Sequence, residues 1–134
     1  MTFLYPKQYL SEKEFKKVVA TALTYIITLS PEKIRAVLYF FYYTGITRQS
    51  LLKITRKEIE KSKRQRKMFL SRTLQKILKK YYATEPEQTN AFNISDKNLR
   101  TFLANLNKYS NLPIGVNILK KSYLINERRK NGSI

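Results

Sequence analysis

The sequence predicts a mainly α-helical fold with a minimal β-strand or hairpin element, and three observations carry that reading. Helix-start patterns recur: Ser11-Glu12-Lys13-Glu14, Ser30-Pro31-Glu32 and Thr55-Arg56-Lys57-Glu58 each set a capping side chain ahead of an acidic residue or a proline. Apolar residues return at helical spacing behind these starts. Only three glycines and four prolines punctuate 134 residues, and the hydrophobic share of 43% favours a packed core over disorder. A chain of this length is expected to form one domain, residues 1–134.

Behind Ser11 a helix is expected from about Glu12 to Leu29, with Phe15, Val18, Val19, Ala22, Leu23 and Ile26 on one face. Ser30 caps a second helix and Pro31 opens it. It runs to about Tyr43 and is apolar nearly all round after Ala36, which assigns it to the centre of the domain. Thr44-Gly45 ends it, because glycine accepts the left-handed conformation of a helix terminus. A short helix through Gln49, Leu51 and Leu52 follows, and Thr55 to Glu58 opens another. Residues 61–67 read as a basic loop or ragged turn, Met68-Phe69-Leu70 as a short strand, and Ser71 as the cap of a helix carrying Leu74, Ile77, Leu78 and Tyr81. Residues 83–90 read as a polar surface loop and Phe92-Asn93-Ile94 as a short extended piece. Ser95 caps a helix with Leu99, Phe102, Leu103 and Leu106, and a last helix starts near Val116 and stops at Asn131-Gly132.

Charge narrows the partner. With 27 Lys and Arg against 9 Asp and Glu, the formal net charge is +18. Such a chain repels itself unless a polyanion neutralises it, which points to nucleic acid ahead of an anionic membrane surface. Cysteine and histidine are absent, which excludes disulfides, thiolate metal sites, cysteine nucleophiles and imidazole bases. No metal or cofactor is expected. No apolar run is long enough to span a bilayer and the N-terminus lacks a signal-peptide pattern, so an intracellular protein is expected.

The cations cluster. Residues 53–80 hold Lys53, Arg56, Lys57, Lys61, Lys63, Arg64, Arg66, Lys67, Arg72, Lys76, Lys79 and Lys80 against Glu58 and Glu60. A second group comprises Lys120, Lys121, Arg128, Arg129 and Lys130. Contacts of this sort run along phosphates and position a protein without reading bases.

Three segments carry a family resemblance. They are Thr44-Gly45-Ile46-Thr47-Arg48-Gln49-Ser50-Leu51-Leu52, then Arg66-Lys67-Met68-Phe69-Leu70-Ser71 with Leu74 and Leu78, then Ile114-Gly115-Val116-Asn117-Ile118-Leu119-Lys120-Lys121-Ser122-Tyr123. In this order the chain resembles the catalytic core of the tyrosine recombinase (phage integrase) family. The resemblance implies DNA recombination or integration in a mobile element or virus. It implies a site in which arginines and a lysine or histidine hold the scissile phosphate while a tyrosine attacks it.

The resemblance also defines the departures. Aligned on Gly45 and Leu51-Leu52, the family's arginine position holds Thr47, and Arg48 lies one place later, a turn of about 100° on a helix. The His-x-x-Arg positions hold Asn117 and Lys120, and lysine lacks the planar fork that grips phosphate at two points. The hairpin lysine has Lys61, Lys63 and Lys67 as candidates. The family's second histidine and its nucleophilic tyrosine fall beyond Asn131-Gly132, and the sequence stops at Ile134. Tyr123 matches a packing aromatic, and Tyr39, Tyr42 and Tyr43 sit in an apolar helix.

Arg48, Asn117 and Lys120 are therefore degenerate matches to catalytic positions, in a core lacking the C-terminal nucleophile helix. An apolar groove left by that helix is an expected site of self-association. Three readings follow: a DNA-binding module that does not cut alone, a fragment of a working recombinase, and a small basic RNA-binding protein.

Overall fold

Helix α2, Pro31–Thr44, is the helix around which the others are arranged. Ile34, Ala36, Val37, Leu38, Phe40, Phe41 and Tyr42 on it are all buried, as its nearly continuous apolar sequence requires. The computed structural model describes residues 10–64 and 71–110. Around α2 lie α1 (Glu12–Tyr25), α3 (Arg48–Lys53), α4 (Arg56–Arg64), α5 (Arg72–Thr84) and α6 (Asp96–Ser110). The principal pairings are α2 with α5, α1 with α6 and α1 with α2. The fold is mainly α, as expected.

The caps behave as their sequence patterns dictate. Ser11 Oγ accepts from the Glu14 amide at 3.2 Å, and the Glu14 carboxylate accepts from the Ser11 amide at 3.0 Å. Thr55 and Glu58 exchange the same reciprocal bonds at 3.2 and 3.0 Å. Ser30 and Ser71 cap α2 and α5, and Ser95 Oγ accepts from the Asn98 amide at the start of α6. Each such cap satisfies an amide that the helix leaves unbonded, for about 1 kcal/mol.

Three elements differ from expectation. Helix α1 ends at Tyr25, not Leu29, and Ile26 takes extended backbone. The β-branched run Ile26-Ile27-Thr28 disfavours helix, and the extended turn still buries Ile26 while leaving Ile27 88% exposed. Helix α4 continues through Arg64, so residues 61–64 are helical where a basic loop was expected. Its capping box and the buried anchor Ile59 suffice, because lysine, arginine and glutamate are good helix formers. The β element is smaller than expected: the described residues form no strand, only an antiparallel bridge between Thr55 and Asn90. It is closed by bonds from Arg56 N to Thr89 O (3.1 Å) and from Ala91 N to Ile54 O (2.9 Å). The expected strand at 68–70 and the helix from Val116 lie outside the described residues.

The core is aromatic. Phe15 on α1 stacks on Tyr42 of α2 at 4.0 Å between centroids and meets Tyr39 edge-on at 5.0 Å. The Tyr42 hydroxyl donates to Leu10 O at 2.8 Å, which allows a phenol to sit in the core. Phe92, from the loop before α6, packs edge-on against Phe40 and parallel to Tyr81. Leu74, Leu78 and Tyr81 form the buried stripe of α5. No helix among the described residues is long and apolar enough to cross a membrane.

Gly45 fixes the exit from α2. It has φ 67° and ψ 21°, and its amide donates to Phe41 O at 3.0 Å. A side chain there meets the left-handed penalty of about 1–2 kcal/mol. Gly45→Ala is accordingly expected to lower unfolding free energy by about that amount in urea titration, with the denaturant slope unchanged.

Candidate nucleic-acid interface

The Gly45 turn leads directly into α3. Thr47 is its N-cap, with Oγ1 accepting from the Ser50 amide at 3.1 Å, and Arg48 is its first residue. Arg48 points to the start of α6, where its Nε lies 3.4 Å from Asp96 Oδ1. Arg100, one turn along α6, binds Asp96 Oδ2 at 3.0 Å. The Arg48 contact is an ion pair without hydrogen-bond alignment, since Oδ1 is buried and accepts no hydrogen bond among the described residues. The cation at the helix junction is thus matched by a carboxylate of its own chain.

Arg56 is also engaged internally. Its Nη1 donates to Pro86 O at 3.0 Å and to Gln88 O at 3.4 Å, and its guanidinium carbon lies 4.1 Å from the Tyr82 ring centroid. It joins α4 to α5 and to the loop beyond α5. That loop, expected to be a plain polar connection, is tied at several further points. The Tyr81 hydroxyl donates to Gln88 Oε1 at 3.3 Å and accepts from the Asn93 amide at 2.9 Å. Gln88 Nε2 donates to Asn90 O and Ala91 O. Lys33 of α2 donates to Asn93 O at 2.7 Å and lies 3.7 Å from Glu85, which accepts from Asn93 Nδ2 at 2.9 Å.

The ionisable groups record these surroundings. Burial opposes the charge of Glu85, but the bond from Asn93, the nearby Tyr81 hydroxyl and the Lys33 ammonium outweigh it and hold the carboxyl below its usual range. Burial raises the phenols of Tyr39, Tyr43, Tyr81 and Tyr82 above their ordinary value. For Tyr82 the Arg56 charge pulls the other way and does not prevail.

The remaining described cations face outward. Lys53, Lys57 and Lys61 are exposed on α3 and α4, and Arg72, Lys76, Lys79 and Lys80 on α5. Arg72, Lys76 and Lys79 share one face by their spacing of four and three. Lys63 and Arg64 belong to the last turn of α4 by backbone position. Two of the hairpin candidates, Lys61 and Lys63, therefore stand on a helix. Arg66, Lys67, Asn117, Lys120, Lys121, Arg128 and Arg129 lie outside the described residues.

Between α4 and α5 a groove of about 630 Å³ opens. Ile59, Leu78, Tyr82 and Ala83 are its apolar lining residues, and Arg56, Arg72, Lys76 and Lys79 line it with Gln75 and the single carboxylate Glu60. Among the described residues no group of three Asp or Glu side chains is placed to hold a metal ion. Sequence reasoning missed Asp96 and Arg100, although their i,i+4 spacing was a usable signal. It also missed Gln88 and Glu85, whose partners are brought together by the loop and could not be paired from local pattern.

Two measurements test these assignments. Arg56→Ala is expected to cost about 1–2 kcal/mol in urea unfolding, while the neighbouring exposed Lys57→Ala stays within about 0.5 kcal/mol. The Glu85 carboxylate contributes stability that is fully present above the ordinary value of about 4.3 and lost as pH falls through its lowered value. Thermal melts between about pH 5 and 3 should show a weaker pH dependence for Glu85→Gln than for the wild type.

No family model matches the sequence, and no curated protein matches it. A solved structure of XerA recombinase superposes on this chain with a TM-score of 0.69 at 16% identity, covering 98% of this chain and 52% of that one. The chain thus spans about half the length of the structure it matches. At that identity the likeness shows the fold: the helices are arranged as in a tyrosine recombinase.

Proposed function

We propose that this protein is a DNA-binding module on a tyrosine-recombinase-like scaffold, of the kind a mobile or viral element uses, and that it does not cleave DNA by itself. The observation that carries the reading is the row of exposed cations on α3, α4 and α5 of that scaffold: Lys53, Lys57, Lys61, Arg72, Lys76, Lys79 and Lys80. Phosphates of a duplex are the natural ligand of such a row, and Lys63, Arg64, Arg66, Lys67, Lys121, Arg128 and Arg129 are proposed as further phosphate contacts. Arg48, Asn117 and Lys120 are the proposed remnants of the phosphate-holding set. The absence of autonomous cleavage is supported by Arg48 facing Asp96 of its own chain and by Lys61 lying on a helix. Self-association belongs to the same proposal, supported by exposed Tyr25, Ile27 and Tyr109 near the ends of α1 and α6.

A second reading, a fragment of an active recombinase completed by a tyrosine from elsewhere, is favoured by the 52% coverage of the XerA recombinase chain. Trapping with a nicked suicide duplex separates the two. The binding-only reading expects no detergent-resistant protein–DNA adduct, and an adduct overturns it.

Binding titrations on duplex DNA, single-stranded DNA and RNA test the partner. With roughly six to ten phosphates engaged, duplex affinity is expected to fall by about 10³ to 10⁵ between 50 and 200 mM salt. Removing Lys76 and Lys79 together should lower the salt slope by about two. Equal affinity for random RNA and duplex DNA would favour the small basic RNA-binding protein instead.

A further inference from the structure

The internal cations of this chain differ in how firmly they are held. Lys33 donates to Asn93 O at 2.7 Å, and its partner Glu85 accepts from Asn93 Nδ2 at 2.9 Å. Arg56 donates to two carbonyl oxygens and covers the Tyr82 ring. Arg48 has no such ties. Among the described residues its guanidinium makes no hydrogen bond, and it meets Asp96 Oδ1 only as an ion pair at 3.4 Å. That oxygen is buried and accepts no hydrogen bond either. A buried acceptor without a donor costs free energy, so charge attraction alone joins Asp96 to Arg48.

The same carboxylate is shared by a second guanidinium. Arg100 Nη2 lies 3.0 Å from Asp96 Oδ2, reaching it from the next turn of α6. Two arginines on two helices thus converge on one oxyanion. The planar fork of arginine fits carboxylate and phosphate oxygens alike, so the pair that holds Asp96 can also hold a phosphate. The place is open to solvent: the side chains of Arg48, Asp96 and Arg100 are 33%, 45% and 62% exposed. Lys97, next to Asp96 in the chain, is exposed as well. Asp96 also has a second favourable position. It is the first residue of α6, where the unbonded amides of the helix start favour a carboxylate.

We propose that Arg48 and Arg100 form an oxyanion site that Asp96 occupies as an internal competitor, and that a backbone phosphate of bound DNA takes its place between α3 and α6. This rests on the DNA-binding reading. It adds Arg100 to the phosphate contacts and names Asp96 as the residue that limits them. Asp96 lowers affinity because the duplex must first displace an anion tethered to the protein. The contact is to phosphate, so the restraint is the same for every sequence.

The test titrates the full chain against a fluorescein-labelled 20-base-pair duplex over a range of salt. Asp96→Asn is expected to tighten binding by about tenfold and to steepen the salt slope by about one, as one more phosphate contact requires. Glu87→Gln removes a carboxylate from the exposed loop beyond α5 and should change affinity by less than about twofold. In an Arg48→Ala background the gain from Asp96→Asn should shrink to about twofold or less. Asp96→Ser replaces Asp96→Asn if circular dichroism shows a loss of helix. Melting in inorganic phosphate, against chloride at equal ionic strength, reads the site without DNA. Phosphate should raise the melting temperature of Asp96→Asn and not that of the Arg48→Ala, Asp96→Asn double variant. The proposal is overturned if Asp96→Asn gains no more than Glu87→Gln and shows no phosphate response. It is also overturned if the gain is equal with and without Arg48, since Asp96 would then act only as a general charge. If no variant binds the duplex while the phosphate response of Asp96→Asn persists, the DNA reading fails and the oxyanion site stands.

Discussion

Burial of α2 on nearly all sides is the constraint on which the rest of the structure depends. A helix with Ile34, Val37, Leu38, Phe40, Phe41 and Tyr42 buried must be covered by neighbours, and α1 and α5 are its principal covers. Each large side chain moved fully out of water contributes about 1.5–3 kcal/mol, so its partners have little freedom to shift. The consequence reaches the surface through Gly45. Once α2 is fixed, the left-handed turn at its end fixes the direction of α3, and with it the height at which Arg48 meets Asp96. Phe92 carries the same constraint into the loop before α6, because it packs on both Phe40 and Tyr81.

A chain with a net charge of +18 must decide which cations it uses on itself. Lys33, Arg48, Arg56 and Arg100 all take partners inside the molecule. Three of the four pair with Glu85 or Asp96, and Arg56 goes to carbonyl oxygens and a ring face. Arginine suits the last task because its planar fork serves two acceptors while its face lies on an aromatic. Lys57, Lys61, Arg72, Lys76, Lys79 and Lys80 are exposed and have no such partner among the described residues. Composition alone treats both groups as one basic surface, whereas the structure separates a set paired within the molecule from a set exposed to solvent.

Much of the fold was legible in the sequence because its signals are local. Caps at Ser11, Ser30 and Ser71 need only a side chain and the amide three residues on, and Gly45 needs only its own backbone. The extent of α4 was not legible: the run from Lys61 to Arg64 has no apolar stripe, and the single anchor Ile59 cannot be recognised without knowing what lies beneath it. The site was less readable still. Arg48 was found from the Thr-Gly junction, but its neutralising partner is 48 residues away, on a helix whose docking is set by α1. The Tyr81, Gln88, Asn93 and Arg56 ties depend on a loop folding back, which no periodicity encodes.

The helical state of residues 61–64 changes how the cationic surface works. In a loop, lysines and arginines adjust individually to an anion and lose backbone as well as side-chain freedom when they do. On α4 the backbone is already ordered, and Lys57 and Lys61 stand one turn apart on the same face. The stripe Arg72, Lys76 and Lys79 on α5 is ordered in the same way. Binding then costs side-chain entropy alone, so a given number of contacts yields a tighter complex. The spacing of the cations is also set by the helices and not by the ligand. Such a surface favours anions whose charges repeat along a line, which is the geometry of a nucleic-acid backbone and not of isolated phosphate. The Arg56 clamp on Tyr82, Pro86 and Gln88 holds α4 beside α5, and so keeps the cations of the two helices in one arrangement.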